Sequence, residues 1–401
     1  MSSENRGNPY LIIFSLWLLV FAASSQIMII APILPRISEQ LVINESLLGT
    51  LVSAYAVMVG LFALITGPIS DKIGRRKILL LGTGGMTLAL SLHGFIQGYY
   101  TFLLFRGLAG AAGGVLSGAA VSYVGDYFPY EKRGWANGWI MSGIAMGQIL
   151  GIPLGTLAAE YFGFRTPFLI FGAIMLAAFL LVAAAVPQPD VHLQKSKITV
   201  AGTVKKYLLL LSKTEILAAS ATYFLMFGSI SVYVVFLPTW LEKSFGVSGD
   251  AIASLFFVGG IANVITGPQA GKLSDRLGRK GIIIYSCLGI ALVMGFTTVA
   301  IQSFWVAYII FFITMVLVAM RISPFQALVT ELVKSNRRGS LMSLLVAIGQ
   351  VGYGLGGAVA GPAYVGGGYL SNTLIAAVMM ILMAWLVWKY LPEPELKSPP
   401  E

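Results

Sequence analysis

The chain is 401 residues long, 57% hydrophobic and only 10% charged. A soluble domain carries about 25% charged residues, so this chain cannot cover its own surface in water, and a bilayer is its solvent. The net charge of +10 does not point to nucleic acid. With the N-terminus placed in the cytoplasm, all but five of the 26 Lys and Arg fall in cytoplasmic segments, which is the bias that orients membrane proteins.

A membrane span needs about 20 apolar residues. Runs free of Asp, Glu, Lys and Arg occupy 7–35, 46–70, 78–105, 107–125, 134–159, 166–189, 216–241 and 251–271. Two longer runs, 281–320 and 339–388, hold two passes each, divided at Gln302-Ser303 and at Gly366-Gly367-Gly368. Gly98-Tyr99-Tyr100 separates the third pass from the fourth, which carries Arg106; the tenth carries Arg321. The expected fold is therefore all-α and integral to the membrane, with twelve helices, six in each half. The first run is too long for the apolar core of a cleaved signal and more spans follow it at once. Cys287, the single cysteine, lies inside the ninth pass, so no disulfide forms within the chain.

The halves are expected at 1–187 and 215–391. Residues 188–214 form a polar, Lys-rich linker, in which Val204 to Leu211 reads as a short amphipathic helix on the membrane face. The tail, 392–401, is Pro- and Glu-rich and reads as disordered. Both termini are expected in the cytoplasm.

The two halves repeat one another. Gly67-Pro-Ile-Ser-Asp71-Lys-Ile-Gly74-Arg75-Arg76 returns 204 residues later as Gly271-Lys-Leu-Ser-Asp275-Arg-Leu-Gly278-Arg279-Lys280. Leu34-Pro35 returns as Leu237-Pro238, Arg133-Gly134 as Arg338-Gly339, and Asp126 is matched by Glu331. Paired six-helix halves are how alternating-access transporters are built.

These motifs resemble those of the major facilitator superfamily along essentially the whole chain, the doubled Gly-x-x-x-Asp-x-x-Gly-Arg-[Arg/Lys] loop being the most specific. Arg106 with Gly110 resembles a second motif of that family. Gly143, Gly147, Gly151, Pro153 and Gly155 resemble the fifth-helix motif of its drug:proton antiporters. Gly151-Ile-Pro-Leu-Gly-Thr156, with Phe164-Arg165, is similar to arabinose-efflux-like permeases in that group. The resemblance implies a transporter without cofactor, driven where coupled by a proton gradient, and a cavity lined by helices 1, 4, 7 and 10.

Gly67, Asp71, Arg75 and Asp126, and their counterparts Gly271, Asp275, Arg279 and Glu331, read as gating residues. Positive-inside anchoring accounts for Lys72, Arg76 and Lys77, but it demands neither an Asp nor a doubled pattern. Gly67 is expected to let the second helix pack tightly. Asp71, Arg75 and Asp126 are expected to form a charge cluster that locks the halves on the cytoplasmic side. The glycines spaced by four share one face and admit a close neighbour, and Pro153 is expected to bend that helix. Whether the face only packs or also slides during transport is open.

Charges inside a span cost ~2.5–3.5 kcal/mol or more and are functional candidates by default. Arg106 and Arg321 are therefore candidate substrate contacts, with a structural role for Arg106 kept as the alternative. Gln26, Gln148, Tyr233, Trp240 and Gln326 are candidates for hydrogen bonding and stacking, although ordinary packing is the commoner role. Proton antiporters of the group resembled usually carry an acid in the first helix; here the matching stretch is Ala-Ser-Ser-Gln26-Ile-Met, and Gln does not titrate. His93, near the end of the third helix, reads as structural.

The leading function is secondary active transport of a small organic solute across the cytoplasmic membrane by a monomer, as proton-coupled efflux. The alternative is uptake or exchange of an organic anion, a carboxylate or phosphate, on Arg106 and Arg321. A non-transporting membrane sensor would have little reason to keep both gating loops. There is no nucleophile–base pair, metal cluster or phosphate-cradling glycine loop, so an enzyme is not expected.

Overall fold

The computed structural model describes residues 8–190, 207–333 and 338–393, with the side chains of Pro68 and Asp71 also outside the described set. Among the described residues every regular element is helical. Eleven stretches are long and apolar enough to cross a bilayer. The last of them, Arg338–Tyr390, is two helices joined across a bend where Gly368 takes φ 65°. The expected all-α fold of twelve spans is thus the fold observed.

The spans are α1 (Pro9–Met28), α2 (Glu45–Ile73), α3 (Arg75–Leu92), α4 (Tyr99–Tyr127), α5 (Tyr130–Phe162), α6 (Thr166–Ala185), α7 (Thr214–Phe245), α8 (Gly249–Leu277), α9 (Arg279–Ala300) and α10 (Phe304–Glu331). The final run supplies α11 (338–366) and α12 (369–390). Residues 207–211 are helical too; Val204 to Lys206, the start of the expected amphipathic helix, lie outside the described residues, as does the tail from 394.

The chain divides into two compact units. Unit 1 is Met1–Asn44, Thr50–Val200 and Gly249–Ala253; unit 2 is Glu45–Gly49, Ala201–Ser248 and Ser254–Glu401. In unit 1, α3 packs on α4 and α6, and α1 packs on α5 and α6. In unit 2, α7 runs along the α11–α12 stretch, and α9 packs on α10 and on that same stretch. Leu16, Leu51, Tyr55, Met86, Phe102 and Phe168 are buried in the first; Tyr223, Phe236, Met294, Phe325 and Met380 in the second. Leu104, Leu180, Leu292 and Ile309 stay exposed on the spans, as expected where the solvent is hydrocarbon and an outward leucine costs nothing.

Several spans are not continuous, and sequence chemistry explains where they yield. α1 ends at Met28 and resumes as Ile30–Leu41, a stretch holding Pro32 and Pro35. α7 likewise breaks at Phe236, just before Leu237-Pro238. A proline has no N–H and cannot bond the carbonyl four residues back. α4 stops at Leu116 and restarts at Ala119 because Ser117 has ψ 114° and Gly118 has φ 74°; only glycine takes that left-handed geometry without cost. α5 widens to a π-helical turn over Gly147–Gly151, immediately before Pro153. The wider turn lets Ile152 N–H bond Gly147 O, so the helix reaches its proline by a local expansion.

Candidate functional site

The doubled loops build two matching ion pairs, each inside one unit. Gly74, at φ 99°, ends α2 and starts α3. The turn places Arg75 on the first turn of α3, where its Nε meets Asp126 Oδ2 at 2.6 Å and its Nη1 donates to Ser70 Oγ at 2.7 Å. In unit 2, Gly278 at φ 92° turns α8 into α9. Arg279 Nη1 meets Glu331 Oε1 at 2.6 Å, and Nη2 meets Asp275 Oδ1 at 3.3 Å. The pairs thus tie α3 to the end of α4, and α9 to the end of α10. The side chain of Asp71, expected in the first cluster, lies outside the described residues. Gly67 does not act through tight packing: a Cβ there would meet nothing within 4 Å, whereas one at Gly271 would meet Ser323 Oγ at 3.1 Å.

Both arginine side chains are mostly covered, 17% and 21% exposed, while their acids range from 26% to 63%. Partly wet pairs of this kind add only ~0.2–1 kcal/mol to stability.

The structure brings Arg106 and Gln26 together. Arg106, 1% exposed, donates Nη1 to Gln26 Oε1 at 3.1 Å and Nε to Leu51 O at 3.4 Å. Its guanidinium lies 4.5 Å from the Tyr55 ring centroid and 5.9 Å from that of Phe168. Carbonyl, amide and aromatic faces replace water around the charge, with each cation–π contact contributing ~0.5–2 kcal/mol. His93 sits in the same shell, its Nδ1 2.7 Å from Ala89 O and its ring stacked on Phe168 at 4.4 Å.

Arg321 is enclosed differently. It is 1% exposed and donates Nη2 to Met226 O at 3.2 Å, while Nη1 points at the thioether sulfurs of Met380 and Met383. Tyr233 is also buried, its hydroxyl 3.2 Å from Thr297 Oγ1 and its carbonyl accepting from Tyr369 Oη at 2.8 Å. Trp240 stacks on Tyr369 at 4.7 Å. Gln148 is half-buried in the π-helical turn, and Gln326 is exposed. Within unit 1, then, Gln26 joins Arg106, and within unit 2 Tyr233 and Arg321 are each held by other neighbours.

The α5 glycines face α1. A Cβ at Gly143 would lie 2.9 Å from Trp17 O, one at Gly147 2.5 Å from Ser24 Oγ, and one at Gly155 2.5 Å from Ile29 Cγ2. At Gly151 it would overlap Ser25. The backbones approach this closely because α5 has no side chain along that stripe.

Sequence reasoning missed three groups. Arg36 grips Glu160 through Nε at 2.5 Å and Nη2 at 3.2 Å, and Tyr161 Oη donates to Asp250 Oδ2 at 2.9 Å. In unit 2 Lys243 pairs with Glu45, and a Cβ at Gly361 would lie 2.5 Å from Ser46 O. Third, Gln188 Oε1 accepts from Arg76 N at 3.0 Å, and Glu393 accepts from Arg279 N at 2.7 Å and Lys280 N at 2.8 Å. The matching Pro-x-Pro triplets around Gln188 and Glu393 were the available signal.

A sequence profile of the Major Facilitator Superfamily matches residues 16–293 and 219–401. The MFS-type transporter YceJ of Bacillus subtilis is 28% identical over 357 residues, covering 87% of this chain and 89% of its own. Multidrug resistance protein MdtG of Citrobacter koseri is 31% identical over 283 residues, 67% of each chain. The crystal structure of a D-xylose-proton symporter superposes with a TM-score of 0.81 at 20% identity, covering 98% of this chain and 99% of its own. The chain belongs to the Major Facilitator Superfamily, and is a multi-pass membrane transporter rather than an enzyme.

Proposed function

We propose that this transporter exports a small organic solute across the cytoplasmic membrane, as a monomer with both termini inside, at the expense of the proton gradient. The observation that carries the choice of cargo is the enclosure of Arg106 and Arg321. Each arginine is 1% exposed and bonded within its own unit, so neither offers an open cation to a carboxylate or phosphate. Selection by shape and apolar contact is then favoured over selection by charge, which suits organic cargo of varied structure. The likeness to proteins named for multidrug resistance supports the same direction.

The test uses purified protein in liposomes with an imposed pH gradient, opposed to a panel of fluorescent lipophilic dyes and organic anions. Dye movement that follows the gradient and stops with a protonophore supports the reading. Movement of anions alone, abolished by Arg321→Ala, overturns it.

A further inference from the structure

We propose that Gln188 and Glu393 are positioning residues for the two ion pairs, reaching back from the end of each half to hold the helix turn that carries the pairing arginine. Each lies between two prolines, Pro187-Gln188-Pro189 and Pro392-Glu393-Pro394, at an offset of 205 residues. Neither triplet belongs to the doubled loop, and neither is close to it in sequence.

The physical need comes from the loops themselves. A helix begins with N–H groups that have no partner inside it, and a side chain just ahead of the first turn ordinarily accepts one of them. Here that position is Gly74 in one half and Gly278 in the other, at φ 99° and φ 92°. Glycine makes the sharp turn but has no side chain to offer. The acceptor is supplied instead from 112 to 114 residues away: Gln188 Oε1 takes Arg76 N at 3.0 Å, and Glu393 takes Arg279 N at 2.7 Å and Lys280 N at 2.8 Å. The fit is close. A Cβ at Gly74 would lie 2.7 Å from the Gln188 amide, and one at Gly278 3.2 Å from Glu393 Oε1. The glycines therefore do two things, turning the chain and leaving room for the distant cap. Pro187 and Pro392 restrict the backbone just ahead of each capping residue, so it is held where it can reach.

The two caps differ. Gln188 is a neutral amide on one N–H, and Glu393 is a carboxylate on two. An anion at a helix N-terminus gains from the aligned peptide dipoles as well as from the hydrogen bonds. The turn bearing Arg279 is accordingly held more firmly than the turn bearing Arg75, and because Arg279 bonds Glu331 from that turn, the cap transmits to the end of α10.

Hydrogen exchange on the full chain in detergent micelles tests this without needing a cargo, so its outcome is independent of the proposed export function. Glu393→Ala is expected to raise exchange about fivefold at the first turn of α9, and to raise it also in the segment ending at Glu331. Glu393→Gln, which keeps an acceptor, is expected to restore most of the protection in both segments. Gln188→Glu, which adds charge and gives up only the long contact from Gln188 Nε2 to Pro189 O at 3.4 Å, is expected to slow exchange at Arg75–Ile78. Faster exchange confined to the first turn of α9, with the end of α10 unchanged, overturns the positioning role. So does an absence of change in either segment, or a Gln188→Glu variant indistinguishable from the parent should Glu393→Ala fail to fold.

Discussion

Arg75 and Asp126 meet at 2.6 Å across α3 and the end of α4, and Arg279 and Glu331 repeat that contact at the same distance in the other half. Each pair closes within its own unit. Each ties the start of one helix to the end of another in the same unit, α3 to α4 and α9 to α10.

Breaking one tie should separate turnover from stability. Asp126→Asn removes a partly wet ion pair worth ~0.2–1 kcal/mol, so the melting temperature should shift by only a few degrees. Transport in liposomes should fall severalfold, and so should that of Glu331→Gln. A drop of more than about 10 °C, with turnover per folded molecule unchanged, would make the pairs purely structural.

The glycine stripe gives a contrast within one helix. Gly151→Ala drives a methyl group into Ser25, and overpacking of this kind costs ~1–3 kcal/mol. Gly138→Ala, where nothing lies within 4 Å, should be neutral or stabilising by up to ~1 kcal/mol through helix propensity. Thermal unfolding in detergent, followed by light scattering or tryptophan fluorescence, should rank parent and variants in that order. Equal effects at the two sites would mean that close approach of α1 and α5 is not what the glycines provide.

Arg106 tests geometry against charge. Arg106→Lys keeps the charge but loses the planar fork that bonds Gln26 and Leu51 while lying over Tyr55. It should destabilise by ~1–3 kcal/mol, as should Gln26→Ala, which leaves a buried donor short of an acceptor. The double variant should cost less than the sum of the singles. Strict additivity in a thermal-shift experiment would show that the two side chains do not act together.

Arg321 sits among sulfur atoms and a carbonyl, where an apolar side chain of similar length fits. Replacing a buried charge by a well-packed apolar residue is often neutral or stabilising, so Arg321→Met should melt at or above the parent temperature. A panel of organic anions, zwitterions, sugars and lipophilic cations should give the same stabilisation profile in both proteins, since a ligand raises the melting point only through affinity for the folded state. Loss of one ligand's shift in Arg321→Met would identify Arg321 as a cargo contact.

The sequence by itself determined the spans, the two-fold repeat and the family. Those follow from the bilayer as solvent, which demands a run of about 20 apolar residues for each pass, and from local punctuation such as Gly366-Gly367-Gly368, where the last long run bends. The repeat also pointed to Arg75, Asp126, Arg279 and Glu331, because a charge kept twice at one offset stands out against an apolar background. What only the tertiary structure decided is how each helix is turned about its axis. Spans that are apolar on every side carry no stripe to say which face looks inward, so the enclosure of Arg106 by Gln26 and Tyr55, and of Arg321 by Met380, was not legible. The same holds for the choice of α1 as the neighbour of the α5 glycines, and for the break at Gly118, where one glycine among many takes the left-handed turn. The matching Pro-x-Pro triplets marked Gln188 and Glu393 but not their partners: a cap supplied from more than a hundred residues away leaves no local spacing that says what it caps, and only the folded chain brings it to the helix it completes.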